Sequence, residues 1–371
     1  MKKYMALFIV GITLFSMFFG GGNLVFPLLM GIKATSPVLS TIGFLLSSVA
    51  LPFFGVCIGI YFKGDYEKCL SVFGKTIGAL FIFSLLLFWI PLGSGPRCNQ
   101  LAYGAFTEIG GVLPLWTFSA LYSVVVYFLT VNKNYFIEIL GKVVTPLLIF
   151  FLGFLIFSLF SQTTDKSFVG VMHWNEFYDS IVTGYNTMDF VASIFFSSAI
   201  ITLLQSQQKD KFKFSFVRNA CIIAVSLLTL VYLGMFSIGY FNAEALEGVS
   251  GARLLASVGH VMFGEKLKIV IFMIINLSVL STSMALILVY SDYLNKIFKG
   301  RVSHKMCVFI SVVSTFIIST IGFEMLSLLI SYVMSILYPF LLLTTCVAVG
   351  KKLYDKRVSI TSKFTHTDIA D

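Results

Sequence analysis

The sequence predicts an all-helical protein that crosses a lipid bilayer about ten times, from its composition, its apolar runs and the placement of its basic residues. Of 371 residues, 58% are hydrophobic and only 12% are charged, whereas about a quarter of the residues in a soluble domain are charged. A water-soluble fold of this size could not hide so much apolar surface. Lipid is therefore the expected solvent for much of the chain.

Ten stretches are long and apolar enough for a membrane helix, which needs roughly 20 residues to cross the hydrocarbon. The predicted spans, numbered 1 to 10 in chain order, are 4–31, 37–62, 77–103, 112–131, 143–162, 181–205, 214–240, 267–294, 305–322 and 326–349. The connections at 163–180 and 241–266 are the longest, and the second contains good helix formers that predict a short surface helix. The polar tail, 350–371, is expected to be flexible.

The distribution of Lys and Arg predicts the orientation of these spans. With the N-terminus in the cytoplasm, all but six of the 26 basic residues fall on the cytoplasmic side. The six exceptions are Lys33, Arg97, Lys166, Arg253, Lys266 and Lys268. Both termini are therefore expected in the cytoplasm, and the net charge of +9 is explained without a nucleic-acid partner.

Ten spans divide into two sets of five, and because five is odd the second set must cross in the opposite sense. That is the arrangement of inverted repeats, which are common in secondary transporters. The chain is accordingly divided into repeat 1 (1–162, spans 1–5), repeat 2 (163–349, spans 6–10) and a cytoplasmic tail (350–371). No clear sequence identity relates the two halves, so this division is a hypothesis based on topology.

Span 1 is interrupted near its middle by Gly20-Gly21-Gly22-Asn23, with Pro27 one turn later. Each glycine costs about 1 kcal/mol relative to Ala inside a helix, and proline removes a backbone donor. An unwound stretch at this depth must face protein or a polar cavity, where free N–H groups can bind a carboxylate and free C=O groups a cation. The alternative is close helix packing, which is the better explanation for the lone pair Gly55 and Gly59.

Asp189 and Arg97 are the charged residues that lie deepest inside predicted spans, where each is costly unless it is paired or hydrated. Asp189 follows Gly184-Tyr185-Asn186-Thr187-Met188 in span 6, and it is a candidate functional group or a structural partner of a basic residue or helix end. Arg97 follows Gly95-Pro96 in span 3. It could snorkel outward, face the cavity, pair with Asp189 or serve an outer gate, and a gating or structural role is favoured over direct substrate binding.

Span 8 carries clustered hydroxyls, including Ser281 and Thr282. Such side chains offer oxygen ligands to Na⁺, but they also bond the carbonyl one turn back in ordinary membrane helices. From the residues alone, the second interpretation is favoured.

At these residues the chain resembles the branched-chain amino acid:cation symporter family, the BrnQ-type carriers. The matches follow chain order and cover nearly the whole length. They are Phe19–Pro27, Ile90–Arg97, Gly184–Asp189, Leu280-Ser281-Thr282 with Asp292-Tyr293, and Leu337-Tyr338-Pro339. Ser281 replaces a Thr of the family pattern, which keeps the oxygen but could alter the cation preference.

The resemblance implies a LeuT-like fold of five plus five inverted spans, in which broken spans 1 and 6 hold an amino acid. The implied substrate-binding residues are Gly20, Gly21, Gly22, Asn23, Tyr185, Asn186, Thr187 and Asp189. The implied Na⁺ site comprises the carbonyls near Phe18 and Gly21 with the hydroxyls of Ser281 and Thr282. Typical members have twelve spans, so stopping after the tenth could remove oligomer contacts, and the oligomeric state is left open.

The resulting hypothesis is a symporter in the cytoplasmic (inner) membrane of a bacterium. It would import Leu, Ile or Val with Na⁺ or H⁺ by alternating access, with no other cofactor and no enzymatic chemistry. A carrier of another small apolar amino acid and an ion channel are the alternatives. A channel would need a continuous pore lined by rings of charge or carbonyls, and a membrane enzyme would need clustered His, carboxylates or Cys at membrane depth.

Overall fold

The computed structural model describes residues 2–132, 143–159, 173–207, 214–249, 251, 253–263 and 268–367. In the first half the helices are Lys2–Phe18, Gly21–Lys33, Pro37–Leu45, Leu46–Ala50 (π), Leu51–Tyr61, Tyr66–Leu70, Lys75–Trp89, Ile90–Ser94 (π), Gly95–Glu108, Leu115–Thr130 and Thr145–Leu159. In the second half they are Trp174–Tyr185, Asp189–Gln207, Phe214–Phe241, Ala243–Leu246, Leu254–Phe263, Lys268–Ile297, His304–Ser319 and Phe323–Thr367.

Each of the ten predicted spans corresponds to helix in the described residues. In the part of the chain that the structure describes, five apolar helical segments are each long enough to cross a bilayer, and they correspond to spans 2, 3, 7, 8 and 10. Span 1 is a pair of helices that meet at 70°. Spans 4, 5 and 9 are shorter apolar helices, and span 6 is the pair Trp174–Tyr185 and Asp189–Gln207. The structure therefore confirms a polytopic all-helical membrane protein with spans 1 and 6 broken.

The break in span 1 is shorter than predicted and lies earlier in the chain. Only Phe19 and Gly20 are non-helical, and Gly21 to Asn23 form the first turn of the second half. The side chain of Asn23 accepts a hydrogen bond from the N–H of Gly20 at 3.2 Å, and this cap starts the second helix at Gly21. Pro27 lies inside that helix without ending it.

The break in span 6 covers Asn186, Thr187 and Met188, between helices that end at Tyr185 and begin at Asp189. Met188 adopts a φ of 61°, a left-handed conformation that side chains with a Cβ rarely adopt. A residue held in this conformation is often found at a functional site. The break lies where the sequence predicted it.

The packing of the spans is symmetric between the two halves of the chain. If each span of the first five is swapped with its counterpart in the second five (1 with 6, 2 with 7, and so on), the same pairs remain in contact. Span 1 packs along span 7, and span 6 along span 2. Span 3 packs along span 8, and span 4 along span 9. This is the pairing that two related sets of five spans produce. The predicted boundary at 162/163 lies outside the described residues.

Small residues bring spans 2 and 6 together. A Cβ added at Gly55 would meet Ser193, and one added at Gly59 would meet Ser197. The close-packing interpretation of these two glycines is therefore confirmed.

A carboxylate also ties the N-terminal turn of the helix Trp174–Tyr185, which precedes the predicted span 181–205, to the connection before span 2. Glu176 accepts hydrogen bonds from the N–H of Thr35 at 3.1 Å, from the N–H of Ser36 at 2.8 Å and from the hydroxyl of Ser40 at 2.9 Å. The hydroxyl of Thr35 donates to it as well. Burial acts to raise the pKa of Glu176, but these hydrogen bonds outweigh it and lower the pKa overall.

The connection after span 7 contains the helices Ala243–Leu246 and Leu254–Phe263, which confirms a helix there. Its predicted position at the surface is wrong, because Leu254, Leu255 and Val258 are buried against the rest of the protein. The predicted flexible tail is wrong in its first part, because the last helix continues to Thr367. That segment begins with Lys351, Lys352 and Leu353, which favour helix, and it contains no proline to end the helix. Several predicted cytoplasmic and outer lysines lie outside the described residues, namely Lys133, Lys142, Lys166, Lys209, Lys211, Lys213 and Lys266.

Candidate functional site

A small cavity of ≈ 20 Å³ lies where the two breaks meet spans 3 and 8. Predicted site residues that line it are Phe18, Gly20, Gly21, Gly22, Asn23, Arg97, Thr187, Asp189 and Thr282. Its remaining lining consists of Met17, Trp89, Ser94, Cys98, Met188, Ala192, Phe196 and Leu286. This volume holds about one water molecule, so the site is closed around its own side chains in this conformation.

Asp189 starts the second helix of span 6 and links both breaks to span 7. Its carboxylate accepts hydrogen bonds from the amide of Asn23 at 2.7 Å and from the hydroxyl of Tyr232 at 2.9 Å. Asn23 and Tyr232 are also in contact with each other. Asp189 is 3% exposed. Because Asn23 also caps the broken helix of span 1, this network couples the geometry of the two breaks.

Sequence reasoning missed Tyr232. It is one of 16 tyrosines and lies in a long apolar run with no adjoining polar motif. Only the packing of span 7 against span 1 brings it to Asp189.

Arg97 is buried at the cavity and does not snorkel outward. It is 3% exposed. Its Nη2 donates to the carbonyl of Asn186 at 3.3 Å and contacts the sulfur of Met188 at 3.3 Å. Its guanidinium carbon lies 5.6 Å from the centre of the Phe26 ring. Within the described residues no ion pair joins Arg97 and Asp189.

Hydroxyls of span 8 face the carbonyls that precede the break in span 1. Ser278 donates to the carbonyl of Phe19 at 2.9 Å, and Thr282 lies 3.4 Å from the same oxygen. Ser281 is 3.4 Å from the carbonyl of Ser16 and donates to the carbonyl of Ser278 at 2.7 Å. Ser281 therefore bonds within its own helix, as the favoured interpretation predicted, and also faces span 1, while a role of these hydroxyls as Na⁺ ligands stays a prediction.

The carbonyls that face span 8 belong to Ser16 and Phe19, whereas the family resemblance implied those near Phe18 and Gly21. The reason is the cap on the second helix. The N–H of Gly20 turns to the side chain of Asn23, so the carbonyl of Ser16 loses its usual donor four residues on. The hydroxyl of Ser16 is also buried without a hydrogen-bond partner among the described residues.

Two predicted substrate residues face span 10, away from the cavity. The ring of Tyr185 stacks on Tyr338 with centroids 4.8 Å apart. The side chain of Asn186 accepts from Ser331 at 2.9 Å, and its carbonyl accepts from Arg97. Asn186 thus connects span 10 to the site through the break in span 6.

Glycine is required at the first break by close approach. A Cβ at Gly20 would lie 2.6 Å from Oγ1 of Thr282, and one at Gly22 would lie 3.2 Å from Cα of Thr187. The φ of Gly20 is −115°, so its backbone would accept any residue. The glycines let the break touch spans 6 and 8 directly.

Two broken helices that meet at a shared polar cavity are the arrangement of the LeuT-fold class of membrane proteins. Solved structures with this fold are similar. MhsT in complex with L-phenylalanine has a TM-score of 0.62 at 15% identity, with 91% of this chain and 87% of MhsT covered. The manganese transporter of Eremococcus coleocola has a TM-score of 0.56 at 14% identity, with 92% and 76% covered. At such identities the likeness concerns the fold alone.

Within that class the chain belongs to the branched-chain amino acid transport protein family, whose model matches residues 3–369. A relative from Staphylococcus saprophyticus is 29% identical over 355 residues, which cover 89% of this chain and 78% of the relative. One from Staphylococcus aureus is 28% identical over 376 residues, covering 95% and 83%. Both are named “Putative branched-chain amino acid carrier protein”. The family and the fold are those of multi-pass membrane transporters, which are not enzymes.

Proposed function

We propose that this protein is a symporter that imports Leu, Ile or Val together with Na⁺ or H⁺ by alternating access. The observation that carries the proposal is the network at Asp189, which ties the breaks of spans 1 and 6 to one buried carboxylate. A buried carboxylate is costly unless a positive group or a proton neutralises it. The α-ammonium of an amino acid is such a group.

The cavity offers matching features for the rest of a small apolar amino acid. The N–H groups of Gly21 and Gly22 are at the N-terminus of a helix, where a carboxylate is favoured. The side chains of Phe18, Trp89 and Leu286 give the cavity an apolar wall, which suits an aliphatic side chain. In this proposal Asn23, Thr187 and Asp189 stay in the substrate site, while Tyr185 and Asn186 support it from span 10.

The coupling ion has two candidate positions. A Na⁺ ion would be held by the carbonyls of Ser16 and Phe19 with the hydroxyls of Ser281 and Thr282, all of which are hard oxygen ligands. A proton would be carried by Asp189, which has no cationic partner among the described residues. In either case the cation stabilises the broken conformation of span 1, which then holds the substrate.

Transport would follow from movement of the bundle formed by spans 1, 2, 6 and 7 against the remaining spans. The cavity of ≈ 20 Å³ is too small for leucine, so substrate entry requires this bundle to open. The positive-inside distribution supports cytoplasmic termini, and the bacterial relatives support the cytoplasmic membrane of a bacterium.

Uptake of labelled leucine by proteoliposomes tests the proposal. We expect uptake when an inward Na⁺ or H⁺ gradient is imposed, and competition by unlabelled isoleucine and valine. Applying the two gradients separately identifies the ion, and adding unlabelled phenylalanine, methionine and alanine maps the substrate range. Absence of leucine, isoleucine and valine uptake under both gradients would contradict the proposal.

A further inference from the structure

The guanidinium of Arg97 is buried at the cavity with most of its donors unused. Among the described residues, Nη2 alone has partners, namely the carbonyl of Asn186 and the sulfur of Met188. Nε and Nη1 have no hydrogen-bond partner among the residues that the structure describes. Buried polar atoms without partners are rare in proteins, and each calls for an explanation.

The part of the chain that the structure describes also offers no anion that pairs with Arg97. A buried cation is costly unless an anion pairs with it, and the contacts that it makes are neutral: one carbonyl, one thioether and the ring of Phe26. The carboxylate of Asp189 lines the same cavity but is engaged by Asn23 and Tyr232. The cavity is therefore bordered by one buried positive charge and one buried negative charge that do not pair with each other.

We infer that Arg97 binds the α-carboxylate of the substrate, so that the cavity selects amino acids with both a free ammonium and a free carboxylate group. This inference rests on the proposed function and deepens it. The substrate would neutralise both buried charges at once. Its ammonium would pair with Asp189, and its carboxylate would lie between Arg97 and the helix N-terminus at Gly21 and Gly22. The sequence had favoured a structural or gating role for this arginine.

The geometry of the side chain supports a ligand-binding role over a purely structural one. A residue that served only to hold the break in span 6 would need just the bond from Nη2 to Asn186, and a lysine or an amide could make it. A guanidinium can donate two parallel hydrogen bonds to one carboxylate, and Arg97 keeps donors available for such a pair. Its contacts with Asn186 and Met188 would hold it in position for this role.

The test compares leucine with leucinamide, which keeps the ammonium but lacks the carboxylate. Binding to the purified full-length protein is measured by calorimetry. In the wild type we expect leucinamide to bind at least about 30-fold more weakly than leucine, the loss typical when one partner of a buried charge pair is removed. Equal affinities of the wild type for leucine and leucinamide would by themselves overturn the inference. Failure of the wild type to bind leucine, isoleucine or valine would instead contradict the proposed function itself.

The variants separate binding from structure. Arg97→Met should weaken leucine binding by about 30-fold or more while leaving the affinity for leucinamide unchanged, so the preference for leucine disappears. Arg97→Lys, which keeps the charge, should retain part of that preference and serves if the Met variant does not fold. Arg253→Met is the matched control, because Arg253 is 58% exposed and pairs with Glu108. Equal losses for leucine and leucinamide would indicate a structural role and overturn the inference.

Discussion

The contact between Gly20 and span 8 gives a sharp test of how the break shapes the proposed cation site. In Gly20→Ala the added Cβ would lie 2.6 Å from Oγ1, 2.8 Å from Cγ2 and 3.1 Å from Cβ of Thr282. The backbone of Gly20 has φ −115° and ψ −166°, an extended conformation that alanine adopts freely. The effect of the substitution is therefore steric, and it displaces a side chain that we propose as a cation ligand.

The size of the effect follows from the cost of overpacking. Extra methyl groups in a packed interior cost about 1–3 kcal/mol, which corresponds to about 5- to 150-fold in affinity. Thr282 is buried on a helix, so it can yield only by rotating or by shifting span 8. We expect the apparent affinity for the coupling cation to fall within this range if that cation is Na⁺. The assay is initial leucine uptake by proteoliposomes as a function of Na⁺ concentration.

Two further variants make this result specific. In Gly153→Ala the new Cβ would meet no atom within 4 Å, so uptake and its Na⁺ dependence should stay at wild-type values. The double variant Gly20→Ala with Thr282→Ser removes the methyl group that meets the new Cβ and keeps a hydroxyl, so part of the lost affinity should return. An unchanged Na⁺ dependence in Gly20→Ala, with uptake intact, would refute the role given to this contact.

The remaining predictions concern the hydroxyls, the carboxylate network and the contact outside the membrane. Replacing Ser281 and Thr282 together by alanine should weaken the apparent cation affinity more than the leucine affinity measured at saturating cation. Tyr232→Phe removes a hydrogen bond to Asp189, worth about 1.5–3 kcal/mol for a charged acceptor, and should lower leucine affinity at least about tenfold in calorimetry. The lowered pKa of Glu176 means that its charged form stabilises the fold above the unfolded-state pKa and that this contribution is lost as pH falls through the folded-state pKa. Thermal unfolding followed from neutral pH to below the ordinary value of 4.5 should therefore show a decline that Glu176→Gln lacks.

Each of these predictions has a contradicting result and a control. Equal losses of cation and leucine affinity in the double alanine variant would remove the reason for placing the cation there. Tyr332→Phe, on an 80% exposed side chain, controls for loss of a tyrosine hydroxyl, and a Tyr232→Phe variant that binds leucine like this control would contradict the network. If the unfolding temperatures of Glu176→Gln and the wild type fall in parallel as the pH is lowered, groups other than Glu176 govern the acid stability.

The sequence was sufficient for the fold because the signals that decide it are local. Twenty-residue apolar runs and the placement of Lys and Arg depend only on composition along the chain, and they predicted ten spans that the helices match. The broken spans were also predicted, since glycines and a buried Asp189 are costly in a continuous membrane helix.

The register of the site could not be predicted from the sequence. The second helix of span 1 begins at Gly21 because the side chain of Asn23 caps it, and a sequence does not show which residue a side chain will cap. That cap frees the carbonyl of Ser16, and the proposed cation site lies two residues closer to the N-terminus than predicted. For the same reason Tyr185 was assigned to the substrate, although packing against span 10 turns it away.

Arg97 shows a second limit of sequence reasoning. Its position in span 3 predicted a costly charge but not the direction of its side chain, and snorkelling was a reasonable alternative. Only the tertiary packing places it beside the break in span 6, with two nitrogen atoms that have no hydrogen-bond partner among the described residues. Arg97 was at least recognised as a candidate from the sequence, whereas nothing in the local sequence of Tyr232 indicates that its hydroxyl belongs to a buried hydrogen-bond network.

The steady-state ratio of internal to external labelled leucine in proteoliposomes tests the central claim most directly. With an inward gradient of the coupling cation the account predicts that this ratio rises well above unity and returns to unity when an ionophore collapses the gradient. A ratio that never exceeds unity, with leucine only equilibrating across the membrane, would contradict symport and would favour a channel or a facilitator.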